Sequence, residues 1–293
     1  MKNGKLIGTF CIIGTTICYG LVPALSFLAY DTGVVTETLL FNKFLYAAIL
    51  MWIYIFIKKI PFKLDKSSGR TMIAITLSYI GIATALYISF DYISGSLATI
   101  ISFTFPAMVL AVEMLRGREI VQAKKILAVI ISIAGLCFIV WAPGMEVKIL
   151  GVVFALICAI CYTVYTISLS SESIKNLHSL VTAGYVLAAS AVFNFIRCII
   201  SGEPLFTENA VQLKFMLLLA VICAFAAILL FCTGVKLIGA SNASIINTFE
   251  PVCACIFGFL LVGDKITLGM ITGGSMVVIA VLLANLPDKA VKS

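Results

Sequence analysis

Ten stretches of this 293-residue chain run for roughly 18 to 24 residues with hardly a charge among them. Wound as helices rising ~1.5 Å per residue, each is long enough to cross a hydrocarbon core of ~30 Å. They fall near 5–28, 35–57, 71–90, 94–114, 125–141, 149–170, 179–200, 213–235, 242–261 and 268–286. With 62% hydrophobic and 11% charged residues, the chain lacks the polar surface to cover a soluble globule. An all-α integral membrane protein is expected.

The net charge of +7 does not point to nucleic acid, because the basic residues are scattered among short loops and form no aromatic-interleaved groove. They report orientation instead. With a cytoplasmic amino terminus, fifteen Lys and Arg fall on the inner side and three, Lys148, Lys214 and Lys265, on the outer, while Lys43 and Arg197 lie inside spans. This bias places both termini in the cytoplasm and the chain in the cell membrane as a multi-pass protein. The opening "MKNGKLIGTFCII" resembles a signal peptide, but its apolar length and its counterpart later in the chain argue for a retained helix.

That counterpart belongs to an internal duplication. At an offset of 145 with no gap, "YISGSLATIISFTFP" (Tyr92 to Pro106) aligns with "LIGASNASIINTFEP" (Leu237 to Pro251), and Glu119 falls over Asp264. At an offset of 143, "LIGTFCIIGTTICYG" (Leu6 to Gly20) aligns with "ILGVVFALICAICYT" (Ile149 to Thr163). The chain therefore divides into 1–143 and 144–293, five spans each. An odd number of spans sends the second copy through the membrane upside down. The charges follow: Asp91 aligns with Lys236, and Arg116, Arg118, Lys124 and Lys125 become Leu261, Gly263, Gly269 and Met270. Two inverted-topology five-helix repeats are a hallmark of carriers, whose similar halves can exchange inward-open and outward-open shapes around one site.

The proline of "TFP", the "EP" of "TFEP", the acidic residues Glu119 and Asp264, and "NKF" at Asn42-Lys43-Phe44 together resemble the drug/metabolite transporter superfamily, EamA type. The resemblance spans both halves. It implies ten helices in two inverted units, termini inside, and a central substrate path lined by helices of both units; relatives of this kind include exporters of amino acids and other metabolites. This chain departs at Cys18-Tyr19-Gly20, where a Trp-Gly pair is frequent, and at Lys43, where many relatives have Arg.

Within "INTFEPV" a carboxylate sits at bilayer depth, followed by a proline. A charge there costs about 2.5–3.5 kcal/mol on insertion scales, so Glu250 is expected to face the bundle interior or a wet cavity. Pro251 lacks an N–H and its ring collides with the carbonyl of Asn247, and Pro106 does the same to Ser102, so both helices are expected to bend at a shared cavity. The freed carbonyls can serve a substrate ammonium or hydroxyl, or be re-satisfied by a neighbouring Ser or Thr.

Three roles are open to Glu250: binding a cationic group, carrying a coupling proton, or pairing with Lys43. Lys43 is too deep in its span to snorkel outward and should also face inward. Tyr19 and Tyr162 are repeat-equivalent, and with Tyr165 and Tyr79 they offer apolar faces rimmed by hydroxyls. Asn247 and Ser102 complete the candidate set, with Asn42 and Asn194 as weaker members that can equally join helices. Tyr30, Tyr87 and Tyr92, near helix ends, read as interfacial anchors. Arg197 reads as snorkelling to headgroups, and Glu113 as a surface ion pair with Arg116.

The ten cysteines lie almost entirely within spans. Cys158 and Cys161 form one C-x-x-C and His178 is the lone histidine, so no metal or other cofactor is expected. G-x-S-x-G, H-E-x-x-H and P-loop motifs are absent, which argues against an enzyme, and no ring of charges suggests a channel. The expectation is a secondary carrier for a small-molecule substrate in the lipid bilayer, as monomer or homodimer, with export of amino acids the task the resemblance favours.

Overall fold

The structure, a computed structural model, describes residues 2–117, 127, 130, 131, 134, 135, 148–207, 209–247, 249–264 and 267–284. The fifth expected span, with Arg118, Glu119, Lys124 and Lys125, falls mostly outside them. Helices α1 (Lys2–Tyr30), α2 (Thr36–Ile57) and α3 (Lys66–Phe90) open the first half. Two short helices follow, α4 (Gly95–Ser102) and α5 (Phe105–Leu115). The second half begins with α6 (Ile149–Leu169), the short α7 (Glu172–Lys175) and α8 (Ser179–Ser201). Next come α9 (Ala210–Ile238), α10 (Ala240–Asn247), α11 (Glu250–Val262) and α12 (Leu268–Ala284). Residues Leu219–Ala226 of α9 and Gly258–Val262 of α11 are wound as π-helix.

Among the described residues, seven helical stretches are long and apolar enough to cross a membrane: α1, α2, α3, Leu97–Leu115 across α4 and α5, α6, α8 and α9. The expected ninth span is interrupted after Asn247, leaving Glu250–Val262 as a shorter apolar piece. The helix ends have local causes. The Asp65 carboxylate accepts from Ser68 N at 3.0 Å and opens α3. Asn209 accepts from Val211 N and Gln212 N and opens α9, while Gly202, at φ 69°, closes α8 in the left-handed region that glycine tolerates.

Packing runs mostly between the halves. α1 lies along α9 and α11; α6 lies along α3, α4 and α5; α2 lies along α8. Under the internal duplication α1 corresponds to α6, α3 to α9, and α4–α5 to α10–α11. The first two sets of contacts are thus images of each other, and the third maps onto itself. The crossings agree at the atomic scale. A Cβ placed on Gly8 would meet Leu237 and Ile238 at 2.9 and 2.6 Å, and one on Gly151 would meet their aligned residues Tyr92 and Ile93, each at 2.9 Å. Glycine at both positions lets the backbones approach closely where lipid supplies no hydrophobic drive to association.

Polar ties fasten the two ends of the bundle. At the end carrying the basic loops, Trp52 Nε1 donates to Gly184 O at 3.1 Å and Tyr185 Oη to Phe62 O at 2.9 Å. At the other end Arg197 Nη2 reaches Glu37 Oε1 at 2.5 Å. The expectation that Arg197 snorkels to headgroups is corrected: a carboxylate on the facing helix is a better partner for a guanidinium than a mobile lipid, and both side chains are about one-fifth exposed. Glu113 and Arg116 do approach, at 3.9 Å, although Glu113 is buried rather than at the surface.

Candidate functional site

Both proline-marked helices are interrupted at aligned places. The first stops at Ser102 and resumes at Phe105, with Pro106 second in the new helix; the other stops at Asn247 and resumes at Glu250, with Pro251 second. A proline in the first turn of a helix loses nothing, since its missing N–H has no intrahelical acceptor there, so each proline sits comfortably once the chain has broken before it. Near the first break, Thr163 Oγ1 of α6 donates to Phe105 O at 3.4 Å.

A cavity of about 50 Å³ reaches both breaks, touching Ser102 on one side and Glu250 on the other. Tyr19, Lys43, Tyr79 and Tyr162 also line it, so six of the eight side chains singled out from the sequence share one space. They come from α1, α2, α3, the end of α4, α6 and the start of α11. At roughly 10–15 Å³ per water centre, the space holds only a few waters in this conformation.

Tyr165 and Asn247 stand behind the wall. Tyr165 is fully buried, stacked at 5.6 Å on Phe231 and 5.4 Å from Tyr79, with its hydroxyl 3.6 Å from Cys232 Sγ. Asn247 donates from Nδ2 to Glu250 Oε2 at 2.9 Å and to Tyr162 Oη at 3.1 Å, while its Oδ1 accepts from Thr16 Oγ1 at 3.2 Å. The amide thus fixes the carboxylate and the phenol together. Tyr162 is also held from its face, stacked 4.0 Å from the ring of Phe105.

Lys43 and Glu250 are 3% and 7% exposed, yet no ion pair joins them. Lys43 Nζ donates to Tyr87 Oη at 3.2 Å and lies 5.1 and 5.3 Å from the ring centres of Tyr87 and Phe44, all neutral groups. Ser26 steadies Tyr87 through a 2.9 Å hydrogen bond. Of the three roles left open for Glu250, a fixed pair with Lys43 is therefore not what this structure holds. The cavity thus carries an amine from the first half and a carboxyl from the second, each hydrogen-bonded to a neutral partner and not to the other.

Tyr87 corrects the sequence reading. Expected as an interfacial anchor, it is 1% exposed and lines the cavity. Its position was available in the pattern: Tyr79, Ile82, Ala83, Leu86 and Tyr87 all line the cavity, an i, i+3, i+4, i+7, i+8 stripe down one face of α3. Thr99 and Cys158 join the lining as well, whereas Asn42 donates to Thr38 O of its own helix and, across the halves, to Leu205 O, each at 2.8 Å, and Asn194 donates to Ser190 O of its own helix. No cluster of three or more His, Cys, Asp or Glu suited to a metal occurs among the described residues.

A membrane-embedded bundle with a duplicated architecture and a central cavity lined by an amine and a carboxyl defines a class of protein, and comparison with known proteins gives the family. The model of the EamA-like transporter family matches twice, over residues 6–141 and 149–286, and the chain belongs to that family, within the drug/metabolite transporter superfamily. It is 24% identical to the uncharacterized transporter YcbK of Bacillus subtilis over 277 residues, 91% of this chain and 88% of that one. An uncharacterized transporter of Archaeoglobus fulgidus is 25% identical over 189 residues, 64% of this chain and 66% of its own length. A solved crystal structure superposes with a TM-score of 0.70 at 13% identity, covering 97% of this chain and 98% of the other, a likeness of fold. The protein is a transporter.

Proposed function

We propose that this transporter is a secondary carrier of small zwitterionic metabolites, amino acids foremost, working by alternating access between two inverted five-span repeats. The observation that carries the reading is the pair of buried ionisable groups, Lys43 and Glu250, sharing one cavity without an ion pair between them. A substrate carboxylate takes the place of the Tyr87 hydroxyl on Lys43, and the ammonium takes the open side of Glu250, whose Oε2 is already held by Asn247. The aromatic walls of Tyr19, Tyr79 and Tyr162 receive the apolar part.

Lys43 belongs to the first repeat and Glu250 to the second. A zwitterion bridging them contacts both halves at once, and only such differential contact can favour the occluded arrangement over the open ones. The small cavity fits this scheme, since a guest larger than a few waters enters only when the halves separate. Paired contacts such as Gly8 with Ile238 and Gly151 with Ile93 support a twofold relation of the halves. The lysine-rich loops support cytoplasmic termini in the cell membrane. Export rests on the family resemblance, and a proton on Glu250 is the coupling species proposed.

Counterflow in proteoliposomes tests the reading. Vesicles loaded with an unlabelled neutral amino acid are expected to accumulate the labelled compound transiently, and the amine or carboxylate analogue lacking one charge is expected to fail. Accumulation of the analogues but not of any amino acid would show a carrier for single ions instead.

A further inference from the structure

A second concavity, a groove of about 710 Å³, opens sideways at the lysine-rich end of the bundle. It lies between α8 and α9 beneath the end of α2, and two of its rim residues, Tyr54 and Leu237, are 42% and 43% exposed. Its floor is apolar: Phe225, Leu229 and Leu230 descend α9 from Lys236. From Lys236 to Phe225 the helix climbs roughly 16 Å at ~1.5 Å per residue, about half of a ~30 Å hydrocarbon core and the depth of one leaflet.

The mouth is cationic. Lys236 Nζ gives hydrogen bonds to Leu177 O at 2.6 Å and Thr182 Oγ1 at 2.9 Å, both neutral, so no carboxylate among the described residues offsets its charge and one N–H remains. Just outside the rim, Lys58 Nζ stands 5.9 Å from the ring of Tyr54 and has no carboxylate partner among the described residues. His178 accepts from Leu180 N at Nδ1, which places the ring proton on Nε2 as a further donor. Lys175, on the rim, is bonded to Glu172 at 3.0 Å and adds less.

We propose that this groove binds one anionic phospholipid of the surrounding leaflet. The phosphate sits against Lys236 and His178, and an acyl chain lies along Leu229, Leu230 and Phe225. A phosphatidylcholine would bring its choline cation to the same lysines and lose the advantage. Held there, the lipid bridges the start of α8 and the end of α9, the two elements that Lys236 already ties. The site stands apart from the central cavity and does not depend on what that cavity carries.

Native mass spectrometry of the purified protein with equimolar phosphatidylglycerol and phosphatidylcholine tests it. A lysine near the membrane surface favours an anionic lipid by roughly fivefold, so two give a preference on the order of twentyfold for one retained phosphatidylglycerol. Lys58→Gln, at an exposed residue, is expected to cut that preference about fivefold. Leu230→Trp, which fills the floor, is expected to abolish retention, and it keeps the test decisive should Lys236→Gln not fold. Equal retention of the two lipids, a preference unchanged in both Lys58→Gln and Leu230→Trp, or displacement by soluble glycerol 3-phosphate would each overturn the proposal.

Discussion

Under the proposed function, Lys43 and Glu250 are the two side chains on which substrate chemistry turns, and they fail differently when changed. Glu250→Gln keeps the shape and the bond from Asn247 but removes the anion, so the ammonium loses its partner. Charge-assisted hydrogen bonds contribute about 1.5–3 kcal/mol, which predicts a roughly ten- to hundredfold loss of amino-acid affinity, read as the half-saturation concentration in counterflow. Lys43→Met should do the same from the carboxylate side, and the pair should couple in a double-mutant cycle only when the substrate carries both charges. Additive losses at the two positions would mean that no single guest spans them. Asn247 fills a supporting role, aiming Glu250 and Tyr162 from behind the wall.

At the scale of elements, the interruptions before Pro106 and Pro251 decide where those charges stand. Glu250 is the first residue of α11, so its side chain leaves the backbone at the break itself. Pro251→Ala gives the chain back the N–H needed to run continuously from Asn247, and Glu250 would turn away from the cavity. The expected outcome is an unchanged or slightly raised melting temperature together with a loss of turnover of about tenfold or more, equivalent to 1.4 kcal/mol. Gly20→Val is its opposite. A Cβ there would meet Cys253 Cβ at 2.5 Å and the Ala254 backbone N at 3.2 Å, prising α1 from α11. Overpacking of this kind costs about 1–3 kcal/mol and should appear as a lower melting temperature in detergent.

For the whole molecule, the proposed inversion of the repeats makes a prediction about sides. Thr32 and Lys175, 143 residues apart, follow the first span of each repeat. Cysteines introduced at these positions in a cysteine-depleted background should react from opposite faces: Thr32→Cys with an impermeant maleimide added to intact cells, Lys175→Cys only after permeabilisation. Labelling of both from one face would remove the inverted relation, and alternating access by exchange of the halves with it.

The membrane class, the duplication and the aligned prolines were legible in the sequence because they depend on local composition and on periods short enough to read along one strand of residues. So were the two ionisable groups of the cavity lining, Lys43 and Glu250, since an ionisable group at bilayer depth has few tolerable places other than an interior. Tyr87 and Arg197 were misplaced for a common reason. Each lies near a helix end, where snorkelling and burial look alike from the chain, and only the facing helix, with Lys43 in one case and Glu37 in the other, distinguishes them. Sequence alone determined that a carboxylate and an ammonium would be buried. Whether they would pair with each other was decided by tertiary structure, because that depends on distances between helices far apart in the chain, and there Lys43 bonds Tyr87 while Glu250 bonds Asn247.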